Sequence, residues 1–310
     1  MRFINPKIDV AFKRIFGSIH SKDILLSFLN AILYDEQPVL TDLEILDPYL
    51  APKVRGMKDT YLDVKARTAE QQTVIIEMQV LNTEGFEKRI LYNAAKTYST
   101  QLQQGEAYHL LNPVIALTIT DFVLFPQFDK LLSRFVLTEK EMLVDYADQD
   151  LVLVFVELPK FQKSLETLTN LKEQWLYFLK HAHQLEEVPQ TMDNVPALRH
   201  AFEIANQSNL SREDLEDLEH RQIFIHDQHN AILKAHREGR EEGVQQGREE
   251  GVQQGLQQGR EEGSQQEKLE IARNLLKKGM TWNVITEVTG LTPAEFTRLE
   301  AQATGCITSV

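Results

Sequence analysis

The sequence has a single cysteine, Cys306, among its 310 residues, which excludes an internal disulfide framework and any zinc site built from several cysteines. It also lacks a run of about 18 apolar residues, the length that a transmembrane helix needs. The N-terminal segment, MRFINPKIDVAFKRIF, scatters its charges and has neither the apolar stretch nor the cleavage site of a secretion signal. These absences predict a cytoplasmic protein that does not enter a membrane.

Excess basic charge is absent as well, since 33 Lys and Arg face 46 Asp and Glu and the formal net charge is −13. The balance is uneven, with net charges of zero over residues 1–100, −6 over 101–200 and −7 over 201–310. No segment is basic enough to predict DNA binding from charge alone. The N-terminal third is therefore the least unfavourable to a polyanion. Its acids are also candidate metal ligands, whose charge a bound cation would neutralise.

Hydrophobic periodicity predicts an α/β protein with a mixed central sheet flanked by helices. Helical patterns cover residues 5–33, 85–104, 165–182, 195–206 and 212–236, and strand patterns cover 43–46, 113–120, 134–138 and 151–157. Trp175 and Phe178 lie on one of these helices at core spacing.

The stretch KDTYLDVKARTAEQQTVIIEMQV, residues 58–80, consists of two alternating runs around a polar connection and predicts a β-hairpin. Symmetric pairing about the middle of the connection places Asp63 opposite Glu77 and Tyr61 opposite Gln79. This register is favoured because a slip of one residue would mix the two faces. One face is then apolar and consists of Leu62, Val64, Ala66, Val74, Ile76, Met78 and Val80.

Asp63 and Glu77 are candidate metal ligands. Directly opposed strand residues have Cβ atoms about 5 Å apart. Two carboxylates at that distance repel each other unless a cation lies between them. Mg²⁺ or Mn²⁺ takes such oxygen ligands, and the backbone carbonyl of Met78 is a further candidate. The alternative is a solvated strand face on which both acids point outward.

The ordered motifs of the chain resemble the PD-(D/E)xK nuclease superfamily, and more narrowly the recombination-promoting nuclease and putative transposase family within it. The core of the resemblance is D-x(13)-E-x-Q on the hairpin, after a helix and before a helix and a strand. The matching blocks cover most of the chain and are NPKIDVAFKRIFG (5–17), YLDVKAR (61–67), IIEMQV (75–80), KRILYNAAKTYSTQLQQGEAY (88–108), PVIALTI (113–119) and VELPKF (156–161). The resemblance implies a restriction-endonuclease-like core and metal-dependent endonuclease activity on DNA.

By this resemblance Asp63 and Glu77 bind the metal ion, and Gln79 stands where the wider superfamily usually has a lysine. A neutral Gln cannot supply the charge of that lysine. We predict that Lys65, on the same strand face as Asp63, partly replaces it.

Three further positions match the family pattern outside the hairpin. Asp9 is either an additional metal ligand or an acid stabilised by the dipole at the start of its helix. Lys13 is either a phosphate contact or a solvated helix residue. Gln101, on the helix after the hairpin, is a candidate neighbour of the metal or the DNA.

From residue 237 the composition changes to a repeat with glycine at every fourth position. The glycines are Gly239, Gly243, Gly247, Gly251, Gly255, Gly259 and Gly263. Each costs a helix about 1 kcal/mol against alanine, so an isolated helix of this composition is unstable. The repeat is therefore either a helix paired with another copy, which gives a homodimer or higher homo-oligomer, or a flexible tether.

Residues 268–302 predict three short helices of helix-turn-helix type, with breaks at Gly279 and Gly290 and a capping box at Thr292 and Glu295. The last segment, AEFTRLEAQ, carries one Arg and two Glu. That charge favours a small interaction or dimerisation cap over a DNA-reading helix.

The predicted domains are a nuclease core (1–125), an α/β and helical extension (126–236), the glycine repeat (237–267) and a small trihelical unit (268–302). The predicted function is Mg²⁺- or Mn²⁺-dependent DNA cleavage by metal-activated water, linked to recombination or mobile elements. A dimer fits, because cutting two strands needs two sites. One alternative is an inactive nuclease fold that serves as an assembly or DNA-binding module. The other is a regulator that binds DNA through its C-terminal helices.

Overall fold

A mixed sheet forms the centre of residues 1–230, the first of the two units into which the chain divides. The computed structural model describes residues 2–50, 59–146 and 149–305. The strands of this part of the chain are β1 (Leu43–Leu46), β2 (Tyr49–Leu50), β3 (Thr60–Tyr61), β4 (Val64–Thr68), β5 (Thr73–Gln79), β6 (Val114–Thr120), β7 (Leu132–Phe135) and β8 (Leu151–Glu157). Six of these described strands join in the order β1-β4-β5-β6-β8-β7. The three strands β5, β6 and β8 run parallel to one another, so the predicted mixed sheet is confirmed.

Five of the described helices, those that begin at residues 9, 22, 86, 171 and 196, lie within the predicted helical segments, whereas the helix at 190–193 has no predicted counterpart and the one that begins at 212 is much longer than predicted. Those of the described residues are α1 (Asp9–Phe16), α2 (Lys22–Leu33), α3 (Phe86–Ser99), α4 (Leu171–His181), α5 (Gln190–Asp193), α6 (Pro196–Ala205), α7 (Arg212–Lys277), α8 (Trp282–Thr289) and α9 (Pro293–Gly305). None of the described helices is both long enough and apolar enough to cross a bilayer.

The main hydrophobic core lies between one face of the sheet and the helices α1, α2, α4 and α6. Large aromatic side chains fill its centre, and the ring of Phe28 meets that of Trp175 edge to face at 5.7 Å. Phe178 is also fully buried, as is Trp175, so both predicted core residues are confirmed. This core fixes α1 against the sheet.

The opposite face of the sheet is covered by α3. Ala94 of this helix packs against Ile75 of β5, and its first turns pack against Phe155 of β8 through Phe86 and Ile90. The helix therefore lies directly over the central parallel strands.

The N-terminal residues are held by the end of α6. The N–H of Ile4 donates a 2.8 Å hydrogen bond to the carbonyl of Ala205, and the ring of Phe3 lies 5.0 Å from that of Phe202. The start of the chain is thereby joined to residues about 200 positions later, and α1 follows directly from this contact.

The hairpin pairs in the predicted register. Val64 lies opposite Ile76 and Lys65 lies opposite Ile75. The ladder ends at this point because the chain bends at Asp63.

Two details of the predicted hairpin are wrong, and both follow from that bend. Tyr61 pairs with Tyr49 of β2 rather than with Gln79. Leu62 donates its N–H to the carbonyl of Pro48 and packs in the cluster of Ile75 instead of on the face of Val64. Strict alternation therefore stops before β4 begins.

The second unit, residues 231–310, has a small core of its own between the end of α7 and the helices α8 and α9. Its buried side chains are Leu269, Ala272, Ile285, Leu291 and Phe296. Gly279 and Gly290 make the turns, with φ of +75° and +73°. The predicted capping box is confirmed, since the Glu295 carboxylate accepts the N–H of Thr292 at 2.9 Å and the Thr292 hydroxyl accepts the N–H of Glu295 at 3.3 Å.

The glycine repeat is helical and belongs to α7, which continues well beyond the predicted end at residue 236. All side chains of the repeat, residues 237–267, are exposed. Pairs of side chains four residues apart support this helix, as in the 3.1 Å hydrogen bond from Gln257 Nε2 to Glu261 Oε1. Its pairing with another copy stays a prediction.

Candidate active site

The end of β5 carries two polar side chains on the face of the sheet that α3 covers. Glu77 and Gln79 alternate along the strand with Ile76 and Met78, which belong to the main core on the other face. Ile75, earlier on the same face as the two polar residues, is buried. The strand therefore passes from a packed segment to a polar one as it ends.

Asp63 lies in the bend before β4, where its carboxylate reaches the neighbouring strand. Its Oδ2 atom accepts a 2.8 Å hydrogen bond from the backbone N–H of Met78. The residue is only 9% exposed, and Nζ of Lys13 lies 3.1 Å from its Oδ1 atom. Burial raises the pKa of Asp63 above its ordinary value, although the Met78 N–H and the charge of Lys13 offset part of this rise.

Glu77 is the second acid of the site. Its Oε1 atom accepts a 3.2 Å hydrogen bond from Nδ2 of Asn93 on α3. Burial and then the charge of Asp63 raise the pKa of Glu77 to about 8, against the opposing effect of Arg89. The two acids therefore disfavour each other's ionised form, and a bound cation would relieve that conflict.

Gln79 is held by hydrogen bonds at both ends of its amide. Its Oε1 atom accepts a 2.6 Å hydrogen bond from Nη2 of Arg89, and its Nε2 atom donates a 2.8 Å hydrogen bond to the carbonyl of Leu81. The side chain itself is neutral. Its contact with Arg89 nevertheless places a guanidinium group at the end of β5.

These side chains line one cleft of about 740 Å³. Its charged lining consists of the acids Asp9, Asp59, Asp63, Glu77 and Glu84 and the cations Lys88 and Arg89. The excess of carboxylates gives the cleft the electrostatic character of a cation site.

Asp9, at the start of α1, lines the same cleft. Its charge contributes to the raised pKa of Asp63, which agrees with their proximity. Nη1 of Arg221 on α7 lies 3.7 Å from its Oδ2 atom. Asp9 thus lies near the candidate ligand Asp63 and also near Arg221, whose positive charge competes with a metal ion for its carboxylate.

Two predicted site residues lie elsewhere. Lys65 does not line the cleft, and the charges that act on it are those of Arg67 and Asp47. Lys65 lies directly opposite Ile75, on the face of the sheet that carries Glu77, so its expected part in the site stays a prediction.

Gln101 lies outside the cleft too. Its Nε2 atom donates a 2.8 Å hydrogen bond to the carbonyl of Asn112, and its Oε1 atom accepts one of 2.9 Å from the N–H of the same residue. Both ends of its amide are thus engaged in fixing the loop before β6.

The sequence interpretation missed Arg89 and Asn93, which hold Gln79 and Glu77 respectively. They lie four residues apart on α3, a spacing that places two side chains on one helix face. Their polar character on the face that covers the sheet was the available signal.

The residues present fit a hard divalent cation, although no three His, Cys, Asp or Glu side chains in the described ranges come close enough together to hold a metal by themselves. Asp63 and Glu77 provide carboxylate oxygens. The N–H and C=O of a strand residue point to the same side, so the carbonyl of Met78 faces the Asp63 side of β5. Such cations keep several waters alongside a few protein oxygens.

Comparison with known proteins agrees with these features. Residues 6–235 match the family described as PD-(D/E)XK nuclease family transposase, which covers the sheet and every cleft residue discussed above. Residues 265–300 match the C-terminal HTH domain of the Rpn/YhgA-like nuclease family, so the predicted helix-turn-helix type is confirmed. No curated protein and no solved structure matches the chain significantly. The sheet, the hairpin with its two acids and the match to most of the chain lead to one conclusion: this protein belongs to the PD-(D/E)XK nuclease family and has its restriction-endonuclease-like α/β fold.

Proposed function

We propose that this protein is a metal-dependent DNA endonuclease that hydrolyses phosphodiester bonds, with its active site in the cleft at the end of β5. The observation that carries the proposal is the pair of buried acids Asp63 and Glu77, whose pKa values are both raised. Acids in a cleft whose pKa values are shifted by burial and by a specific neighbouring charge are candidates for a functional site. Their family context makes nuclease chemistry the best-supported function.

Asp63, Glu77 and the carbonyl of Met78 would hold the ion, with Asp9 as an additional ligand. A divalent cation at such a site activates a water molecule and stabilises charge on the phosphate. Asn93 orients the carboxylate of Glu77 through its hydrogen bond, and the Met78 N–H orients that of Asp63.

Lys13 and Arg89 provide the positive charge that Gln79 lacks. Lys13 contacts Asp63, while Arg89 is held by the amide of Gln79 at the cleft. Cations fixed in this way can stabilise the additional negative charge of a phosphodiester in its transition state. Gln79 thus acts as a positioning residue for Arg89.

We further propose that the helix-turn-helix unit contributes to DNA binding and that α7 joins two copies through its glycine repeat. Helix-turn-helix units commonly bind DNA as dimers. The low positive charge of α9 makes phosphate contacts there few, so the cleft carries the main share of substrate recognition.

The test is the conversion of supercoiled plasmid to nicked and linear forms with Mg²⁺, with Mn²⁺ and with EDTA. The active-site variant is Asp63→Asn, which removes one charge without changing the size of the side chain. The matched control is Asp42→Asn, at an acid paired with Lys22 and outside the cleft.

Metal-dependent nicking by the wild type and by Asp42→Asn, and none by Asp63→Asn, is the expected result. Equal nicking by both variants would place the activity elsewhere or in a contaminant. A folded protein that binds DNA but nicks none under any condition would be an inactive nuclease fold used as a binding or assembly module, and the proposal would be wrong.

A further inference from the structure

Two tyrosine rings lie one against the other at the edge of the cleft. Tyr49 of β2 and Tyr61 of β3 are directly paired in a two-stranded ribbon. Their ring centroids are 4.8 Å apart and their planes are inclined by 30°. Tyr61 also lines the cleft, two residues from Asp63.

Tyr49, one member of this pair, is held in place by hydrogen bonds. The hydroxyl of Tyr49 donates to Oδ1 of Asp59 at 3.0 Å, and its backbone N–H donates to Oδ1 of Asp47 at 2.9 Å. Tyr49 is therefore a stable support for the ring of Tyr61.

A buried lysine on α3 binds both strands of the ribbon through hydrogen bonds. Nζ of Lys96 donates a 2.9 Å hydrogen bond to the carbonyl of Leu50 and one of 3.3 Å to the hydroxyl of Thr60. These are the ribbon residues next to the two tyrosines. The same helix that positions Glu77 through Asn93 thus also positions the tyrosine pair.

Tyr61, the other member of the pair, is open to solvent, since it is 69% exposed. Tyr92 of α3 lines the same cleft and is 38% exposed. A cross-strand aromatic pair stabilises a ribbon by itself. That role does not require an exposed ring in the cleft, nor a further exposed tyrosine of a different element in the lining of the same cleft.

The chemistry of the cleft indicates which ligand would cover these rings. Lys88 and Arg89 can meet phosphate groups, whereas the acids of the cleft weaken purely electrostatic binding of a polyanion. An aromatic ring contributes to nucleic-acid binding by stacking on a base, which needs no net positive charge. Bases offer that face only when they are unpaired and unstacked from their neighbours.

We propose that Tyr61, supported by Tyr49, stacks on an unpaired base of the DNA substrate, next to the phosphate that the acids of the cleft act on. The substrate class is therefore DNA with an unpaired nucleotide at the cleavage site, such as a gap, a flap or a single strand. This inference rests on the proposed nuclease function and specifies its substrate.

Binding is measured by fluorescence anisotropy in EDTA, with Asp63→Asn as the background so that no strand is cut. The probes are a duplex with a short single-stranded gap and a fully paired duplex of the same sequence. Tyr61→Leu removes the ring, and Tyr61→Phe keeps it and serves as the matched control.

We expect Tyr61→Leu to weaken binding of the gapped duplex about 5- to 150-fold. Tyr61→Phe should bind it as the background protein does, and binding of the paired duplex should not change. Equal losses for both probes, or no loss for the gapped one, would overturn the proposal.

A second measurement does not depend on a ring-deleting variant. The base 2-aminopurine in the gap loses fluorescence when it stacks on an aromatic ring, and we expect that loss when the background protein binds. Binding without it would overturn the proposal.

Cleavage by the otherwise wild-type protein separates the two hypotheses. Tyr61→Leu should lose the preference for gapped over paired DNA. If it cuts both as the wild type does, the stacking role is wrong and the nuclease function stands. If the wild type cuts no DNA at all, the nuclease function fails, and the substrate assignment fails with it.

Discussion

Nζ of Lys13 lies 3.1 Å from Oδ1 of Asp63, so a lysine of the first helix contacts the first acid of the hairpin. The strand position that usually carries the superfamily's lysine is occupied here by the neutral Gln79. A cation from a different element is therefore next to the candidate metal site. We propose that Lys13 takes the role expected of Lys65, and this leads to the first prediction.

Lys13→Met should lower the rate of plasmid nicking about 100-fold, because it removes a fixed positive charge next to the reacting phosphate. Lys65→Met is the matched control and should cut at the wild-type rate, since the charges that act on Lys65 are those of Arg67 and Asp47 rather than those of Asp63 and Glu77. Single-turnover assays at saturating Mg²⁺ measure the effect on the chemical step. The opposite pattern would restore Lys65 as the source of the charge.

Glu77→Gln should stabilise the metal-free protein at alkaline pH. The pKa of Glu77 is raised from 4.5 to about 8, so the folded state retains a proton that the unfolded chain loses. The associated stability is complete below the unfolded value and is lost as the pH rises through the folded value. The wild-type free energy of unfolding should therefore fall between about pH 5 and about pH 8 by more than that of the variant.

Urea unfolding at several pH values in EDTA measures this difference. Adding Mg²⁺ should raise the stability of the wild type more than that of Glu77→Gln, because the ion binds the ionised carboxylate. Parallel pH profiles for the two proteins would show that Glu77 titrates normally and would contradict the prediction.

Gln79→Lys restores the usual superfamily pattern, but we expect it to lower the cleavage rate about 10-fold. The substitution removes the oxygen that accepts the hydrogen bond of Arg89 and adds a second cation beside it. Gln79→Glu keeps an acceptor for Arg89 and is the control for that contact. A faster enzyme with Lys at this position would mean that Gln79 limits catalysis rather than positions Arg89.

Gly17→Ala should reduce stability by about 1 to 3 kcal/mol through overpacking. A Cβ atom at this position would lie 2.8 Å from the carbonyl oxygen of Lys13, 3.4 Å from Cγ2 of Val64 and 3.5 Å from the carbonyl oxygen of Asp63. The end of α1 would have to move, and Lys13 with it. Urea midpoints measure the loss of stability, and the nicking assay measures its effect on the site.

Gly247→Ala is the matched substitution in the glycine repeat, where a Cβ atom meets nothing within 4 Å. It should increase the helical circular dichroism signal, since alanine favours a helix by about 1 kcal/mol. Lower helicity or loss of self-association would instead indicate that another backbone approaches the glycines closely.

Local patterns predicted the elements that depend on local sequence. Alternation located the paired part of the hairpin, and β1 and β8 have the predicted bounds. The same alternation failed at Leu62, because Tyr61 pairs with β2, the short strand that directly follows Pro48, and Leu62 donates its N–H to the carbonyl of Pro48. A period of two cannot reveal where a strand changes its partner.

Only part of the candidate site could be predicted from the sequence, because only some of its contacts are local. Asp63 and Glu77 are close in sequence and belong to one hairpin, so their proximity could be predicted. The contact between Lys13 and Asp63 depends on how α1 packs on the sheet, and the contacts of Asn93 and Arg89 depend on how α3 does. Such packing is set by the whole core rather than by any one segment.

The junction between Ile4 and Ala205 has a consequence for the order of events during translation. Both acids of the hairpin are synthesised early, whereas α1, with Lys13, gains its packing against α6 only after residue 205 has been made. At about 5 to 20 residues per second, the roughly 140 residues between Asp63 and Ala205 take about 7 to 28 s to add. A chain still attached to the ribosome therefore lacks the packing of α1 against α6 for most of its synthesis, and the candidate site is completed only when the first unit is nearly finished.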